Sequence, residues 1–326
     1  MITLRLLKLL QGFTIGLVFL CSSIVFAQNF PNKPIKFVIT YPPGGSSDII
    51  ARTIANKLSK IWGQPVIPDY KPGAGGAIGM EFVSQQPGDG YTIVLGNFGP
   101  SLVNPLLNKV NFNMDRDFIP VSLTTVATSV LVVPESSPYK TLGELVTAAR
   151  SKPKGLNFAT SGPGSISDIA TELMMREAKI QMTKIPYKGT VPAINDLLGG
   201  QVDLMISDVF PVSQFIKVGK LRALAVTSPS KSEFIPGVSS FSEQGLTGVV
   251  ALTWWGIFLP AKTPTEIQEK YSNAIISIMK DPEIKVSFSN LSVEGVANTQ
   301  AEFREFLAAE TKKYTKLILD NNIKGD

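Results

Sequence analysis

Two short stretches carry the residue types that hold an anion without a charged side chain. Pro42 to Ala51 reads PPGGSSDIIA, and Ser161 to Ala170 reads SGPGSISDIA. Each follows an apolar run and precedes a run at helical spacing, so each reads as strand, Gly/Pro/Ser turn, Ser-Asp-Ile, helix. A helix start presents backbone N–H groups that lack intrahelical partners, together with the positive end of a dipole, and both favour a carboxylate. Gly44, Gly45, Gly162 and Gly164 allow the backbone close to a ligand, and the hydroxyls of Ser46, Ser47, Ser165 and Ser167 add donors without charge. Hydrogen bonds to an ionised group contribute about 1.5 to 3 kcal/mol each, so three or four support micromolar capture after the costs of association. Such turns also occur wherever a strand feeds a helix, so the echo between the two stretches has an ordinary reading too.

Three acids fit either of two roles. Asp48 and Asp168 fall in the first turn after each loop, and Asp208 ends the run LMISD. Each is either a helix cap or an acceptor for a ligand hydroxyl or ammonium. KPGAGGAIG, from Lys71 to Gly79, resembles a phosphate loop but has Ile78 where G-x-G-x-x-G needs its last glycine, and Gly219-Lys220 lacks P-loop spacing. A tight turn with close helix packing is the better reading of it.

The composition removes most catalytic chemistries. The chain has no histidine, and its one cysteine is Cys21, inside an apolar leader. General-base histidine, a thiolate nucleophile and the usual metal ligands are therefore missing, so no cofactor or metal is expected. Lys and Arg total 31 against 26 acids, a formal charge of +5. That mild excess suits small anions, and no basic run interleaved with aromatics argues for nucleic acid.

The positioning elements are those of an α/β chain. Arg5 and Lys8, then the apolar stretch from Ile15 to Phe26, then Val25-Phe26-Ala27, read as a signal peptide over 1–27 cleaved near Ala27. Leu20 before Cys21 is too large for a lipid-modified cysteine. Strands are expected over Ile35–Tyr41, Val66–Asp69, Tyr91–Leu95, Val130–Val133, Asn157–Thr160 and Leu204–Ser207. Helices are expected over Asp48–Ile61, Gly76–Gln85, Leu142–Arg150, Ile169–Glu177, Ala193–Leu198, Thr265–Met279 and Ala301–Leu319. The first of these carries Ile49, Ile50, Ile54, Leu58 and Ile61 at helical spacing. A length of 326 residues exceeds what one core usually fills, which favours two lobes and hence a cleft. TWWGIF, Thr253 to Phe258, reads as a hinge crossing or as a buried strand within one lobe.

YPPGGSSDIIAR, KPGAGGAIG, the DGYT at Asp89, SGPGS, PYKGTVPAINDLLGGQVDLMISD, GKLRALAVTS and WWGIFLPAKTP occur in that order over nearly the whole chain after the leader. In this order they resemble the substrate-binding receptors of tripartite tricarboxylate transporters, the Bug or TctC family. The resemblance implies an α/β, two-lobed periplasmic binding protein of the Venus-flytrap kind, type II-like, with ligand in the interlobe cleft. Residues 28–130 with 255–326 would form one lobe and 131–254 the other. Lys188 and Gly189 of PYKG, and Asp208, match positions expected near the cleft. With Tyr41, Pro43 and Asn97 they complete the candidate ligand-binding set. Asp168 stands where relatives often carry histidine, which replaces a donor with an acceptor. The implied function is capture of a small carboxylate (a di- or tricarboxylate, hydroxy acid or related organic acid) in the periplasm and delivery to the membrane permease subunits of such a transporter. The rival readings are a binding protein that signals the presence of an amino acid or other metabolite, and an exported hydrolase using Asp48, Asp168 or Asp208.

Overall fold

The computed structural model describes residues 30–320 and Ile323; the leader read over 1–27 lies outside the described residues. β1 (Ile35–Ile39) lies between β2 (Val66–Tyr70) and β3 (Thr92–Asn97), parallel to both. β3 is buried along its whole length and β1 at all but one position, as parallel strands covered on both faces must be. The crossovers are α1 (Ser46–Trp62) and α2 (Ala77–Ser84). α1 buries Ile50, Ala51, Ile54, Ala55 and Leu58 as one stripe and ends at Gly63, whose N–H closes on the Ser59 carbonyl at φ 64°. Ile61, expected on that stripe, sits in the last turn and is 51% exposed.

β9 (Leu252–Pro260) inserts antiparallel between β3 and β4 (Phe118–Pro134), giving the order β2-β1-β3-β9-β4. β4 then continues into a second sheet. Up to Thr128 it pairs with β9; from Ser129 it pairs with β7 (Leu204–Asp208), and from Val130 also with β8 (Leu221–Val226). β7 leads on to β5 (Asn157–Thr160) and β6 (Thr183–Pro186), which are parallel to each other. The crossovers here are α3 (Leu142–Ser151), α4 (Ile166–Glu177), α5 (Thr190–Leu198) and α6 (Val209–Lys217). α3 starts at a Thr141/Glu144 capping box, a local signal readable in sequence.

The chain returns through β9 to the first sheet, where α7 (Thr265–Lys280), α8 (Pro282–Asn290), β10 (Glu294–Gly295) and α9 (Gln300–Asp320) close it, β10 pairing with β4. Thr253 to Phe258 is thus a buried strand of the first sheet. Trp254 and Trp255 are each 1% exposed and enter different cores. The passages between sheets are β4 itself and a junction near Ala251, whose N–H donates to the Thr227 carbonyl while the Thr227 N–H donates to Ser129.

β4 is far longer than the strand expected over Val130–Val133. Its first half contains Ser122, Thr124 and Thr125, all fully buried, so a hydropathy reading passes over it. The fold satisfies two of these hydroxyls from distant segments: Thr124 Oγ1 donates to the Trp255 carbonyl (2.9 Å), and Ser122 Oγ to that of Asn298 (2.9 Å).

Candidate functional site

The carboxyl ends of β1, β3, β5 and β7 open on one cleft. This is where open α/β sheets place their ligands. From the first sheet Tyr41, Pro43, Gly45, Ser46, Ser47 and Asn97 line it; from the second come Ser161, Ser165, Gly189 and Asp208. Ser46 and Ser47 belong to the first turn of α1, Ile166 to that of α4, and Thr190 and Val191 to that of α5. Three helix starts therefore face one space, and among the described residues Asp208 is the single charged one on its lining.

The halves are pressed together across the cleft. Gly75 has φ 59°, and a Cβ there would lie 2.4 Å from the Pro163 carbonyl oxygen; at Gly189, φ 117°, it would lie 3.1 Å from the Pro42 ring. Any side chain at Gly75 would force the halves apart. The glycine-rich KPGAGGAIG is accordingly a tight turn at this contact, not a phosphate loop.

The two Ser-Asp loops are built alike. Gly44 N–H donates to Asp48 Oδ2 at 2.9 Å, and Gly164 N–H to Asp168 Oδ2 at 2.9 Å. The Asp48 N–H donates to the Gly45 carbonyl and the Asp168 N–H to that of Ser165, both at 3.1 Å. Each acid is then held from outside the loop. Asp48 Oδ1 accepts from Arg52 Nε (2.7 Å) and Tyr70 Oη (2.5 Å), and Asp168 Oδ1 lies 2.8 Å from Lys184 Nζ. Burial raises the Asp48 pKa, but the bonds from Tyr70, the Gly44 N–H and Arg52 outweigh it and leave the carboxyl below its ordinary value.

The hydroxyls differ between the loops. Ser165 caps α4 and donates to the Gly162 carbonyl (2.6 Å), while Ser167 Oγ accepts from the Ser161 N–H and lies 2.8 Å from Ser165 Oγ. In the first loop Gly45 supplies no side-chain cap, and Ser47 Oγ accepts from Trp255 Nε1 at 2.8 Å. Ser46 Oγ, 6% exposed, and Asn97 Oδ1, 7% exposed, reach no hydrogen-bond partner at full geometry, and both line the cleft. Asn97 Oδ1 is thus an acceptor open to the cleft.

Asp208 precedes α6 but makes no capping bond to it. Its Oδ1 accepts from Thr253 Oγ1 (2.7 Å) and more weakly from Ser129 Oγ (3.4 Å). Burial pushes its pKa up, offset in part by the hydroxyls of Thr253, Ser46 and Ser129, which places Ser46 Oγ close to this carboxyl. Burial, then the charges of Asp208 and Asp168, push the Tyr41 hydroxyl well above its ordinary value, so it is a neutral donor. It lies beside Gly99, at 2.9 Å from where a Cβ there would be.

Not every candidate reaches the lining. Lys188 is exposed and outside it. Gly44, Asp48, Gly162, Gly164, Ser167 and Asp168 stand behind it and shape the loops that do line it. The sequence reading missed Thr190, Val191, Thr253 and Trp255. Gly189 as a start and Pro192 in the first turn of α5 were a usable signal for the first two. Nothing local marks the strand residues Thr253 and Trp255.

A cleft between two α/β halves, joined by crossing strands and faced by helix starts, defines the two-lobed periplasmic binding proteins. The model of the tripartite tricarboxylate transporter family receptors matches residues 50–323, and the chain belongs to that family. It is 35% identical over 298 residues, 91% of this chain and 89% of the relative, to a UPF0065 protein from the tcbD-tcbE intergenic region of Pseudomonas sp. strain P51. Among solved structures it resembles Rpa4515 of R. palustris with adipate (TM-score 0.88, 27% identity, 90% of this chain and 99% of that one). It also resembles MatC of Rhodopseudomonas palustris with bound malate (TM-score 0.85, 27% identity, 89% and 100%).

Proposed function

We propose that this protein is a receptor without catalytic activity that captures a small carboxylate in the periplasm and presents it to the membrane permease subunits of a tripartite tricarboxylate transporter. The observation that carries the reading is the meeting of three helix first turns on one cleft whose lining, among the described residues, has no lysine or arginine. Backbone N–H groups, Tyr41 and the cleft-lining hydroxyl of Ser46 would hold the carboxylate, and the unengaged oxygen of Asn97 would take a donor from the ligand or its water. Asp48 and Asp168 would act through the loops they hold. The lobes carried into this reading are 28–130 with 255–326, and 131–254, and closure would be driven by the ligand's preference for the closed form.

Bound carboxylates in two relatives of this fold support the ligand class, and the leader-like start supports export. The test is a thermal-shift screen of purified, ligand-free protein against organic acids, amines and sugars. A ligand at 100 times its Kd stabilises by about 2.7 kcal/mol. Carboxylates alone should raise Tm, and they should be recovered chemically unchanged. A shift confined to amines or sugars, or release of an altered product, would overturn the reading.

A further inference from the structure

The cleft lining is asymmetric in charge. Among the described residues it has helix starts and neutral hydroxyls suited to one carboxylate, but no lysine or arginine to hold a second one, and its single carboxyl side chain is Asp208. That acid is not engaged as a cap: it makes no bond to α6, and the donors Thr253 and Ser129 both fall on Oδ1, which leaves acceptor capacity toward the cleft. The acceptor shares the cleft with the helix starts: Asp208 and Ser46, the first residue of α1, line the same space. A second unengaged acceptor, Asn97 Oδ1, faces the same space.

We infer that Asp208 selects ligands that carry a hydrogen-bond donor on the carbon next to the clamped carboxylate. The cleft then takes 2-hydroxy and 2-amino acids in preference to the matching unsubstituted acids. A donor there meets a carboxylate acceptor, whereas a plain methylene leaves Asp208 desolvated against carbon, and a second ionised carboxylate meets like charge. This inference rests on the carboxylate reading above.

Calorimetric titration of ligand-free protein with matched sets distinguishes the two: butyrate, 2-hydroxybutyrate and 2-aminobutyrate, and succinate, malate and aspartate. In each set the hydroxy or amino acid should bind on the order of 10- to 100-fold more tightly than its unsubstituted partner. In Asp208→Asn, which keeps the shape and the Thr253 contact, that ratio should collapse at least tenfold. Unsubstituted acids binding as tightly as substituted ones in the unaltered protein would overturn the inference and leave the carboxylate reading standing. A ratio unchanged in folded Asp208→Asn would overturn the role of Asp208. Should the variant not fold, the comparison within the unaltered protein still decides the preference. Failure of every acid to bind would overturn the carboxylate reading itself.

Discussion

The loops Pro42–Asp48 and Ser161–Asp168 share a turn and differ in what they leave open. Both place an acid four residues after a glycine and bind that glycine's N–H at 2.9 Å. The second loop then satisfies its own hydroxyls, Ser161, Ser165 and Ser167 bonding to one another and to its backbone. In the first, Ser46 Oγ bonds to no atom of its own loop, and α1 starts without a side-chain cap. One backbone motif thus closes its hydroxyls on itself on one side and leaves a hydroxyl toward the cleft on the other. A local motif fixes the direction of a helix start; its hydroxyl neighbours decide whether that start is available.

The strongest way to break this contrast is to remove the acid behind each loop. Asp168→Ala would strip Lys184 of its 2.8 Å partner and leave the buried Gly164 N–H unbonded, at a cost of about 3 kcal/mol in urea unfolding. Asp48→Ala should cost about half that, because the Arg52 side chain is 52% exposed and can turn to water. Equal losses would mean that the loops are equally self-supporting.

Next comes the contact of the second loop with Gly75. Gly75→Ala would meet the Pro163 carbonyl, and we expect ligand affinity to fall about 30- to 100-fold while unliganded Tm moves little. An equal drop in unliganded Tm would show that the contact stabilises the fold rather than the closed form.

The serines should respond in opposite ways. Ser165→Ala removes a helix cap and should lower stability by about 1 kcal/mol, with affinity per folded molecule nearly unchanged. Ser46→Ala should leave unfolding midpoints in place and weaken ligand binding about 5- to 10-fold. Identical profiles for the two would erase the division of roles.

The smallest effect concerns acid. The folded-state pKa of Asp48 is depressed, so its contribution to stability is complete above the ordinary carboxylate value of about 4 and is lost as pH falls through the lower folded value. Stability measured by urea unfolding at successive pH values should fall with acid in that window, less steeply in Asp48→Asn. An unaltered slope would remove Asp48 from the account.

Much of this was legible from residue types. The order of strands and helices follows from apolar periodicity, and both loops announce themselves through Gly, Ser and Asp at a strand-to-helix turn. Less was legible where burial contradicts polarity. The first half of β4 looks like a loop because Ser122 and Thr124 find their distant partners only near Asn298 and in β9. Trp254 and Trp255 invite a hinge reading but lie in the middle of a sheet, and Lys188, adjacent in sequence to a cleft glycine, points outward.

The sequence by itself determined the α/β class, the absence of histidine and thiol chemistry beyond the leader, and the two helix starts suited to an anion, because these depend on residue type and on spacing within a few positions. Only the tertiary structure decided which acids are engaged at their own loops and which one faces the cleft. Asp48, Asp168 and Asp208 are alike as residues following a strand or turn. They are separated by partners 4 to 22 residues away for Asp48, 16 for Lys184 with Asp168, and 45 for Thr253 with Asp208, distances over which chain direction, not local preference, sets what meets what.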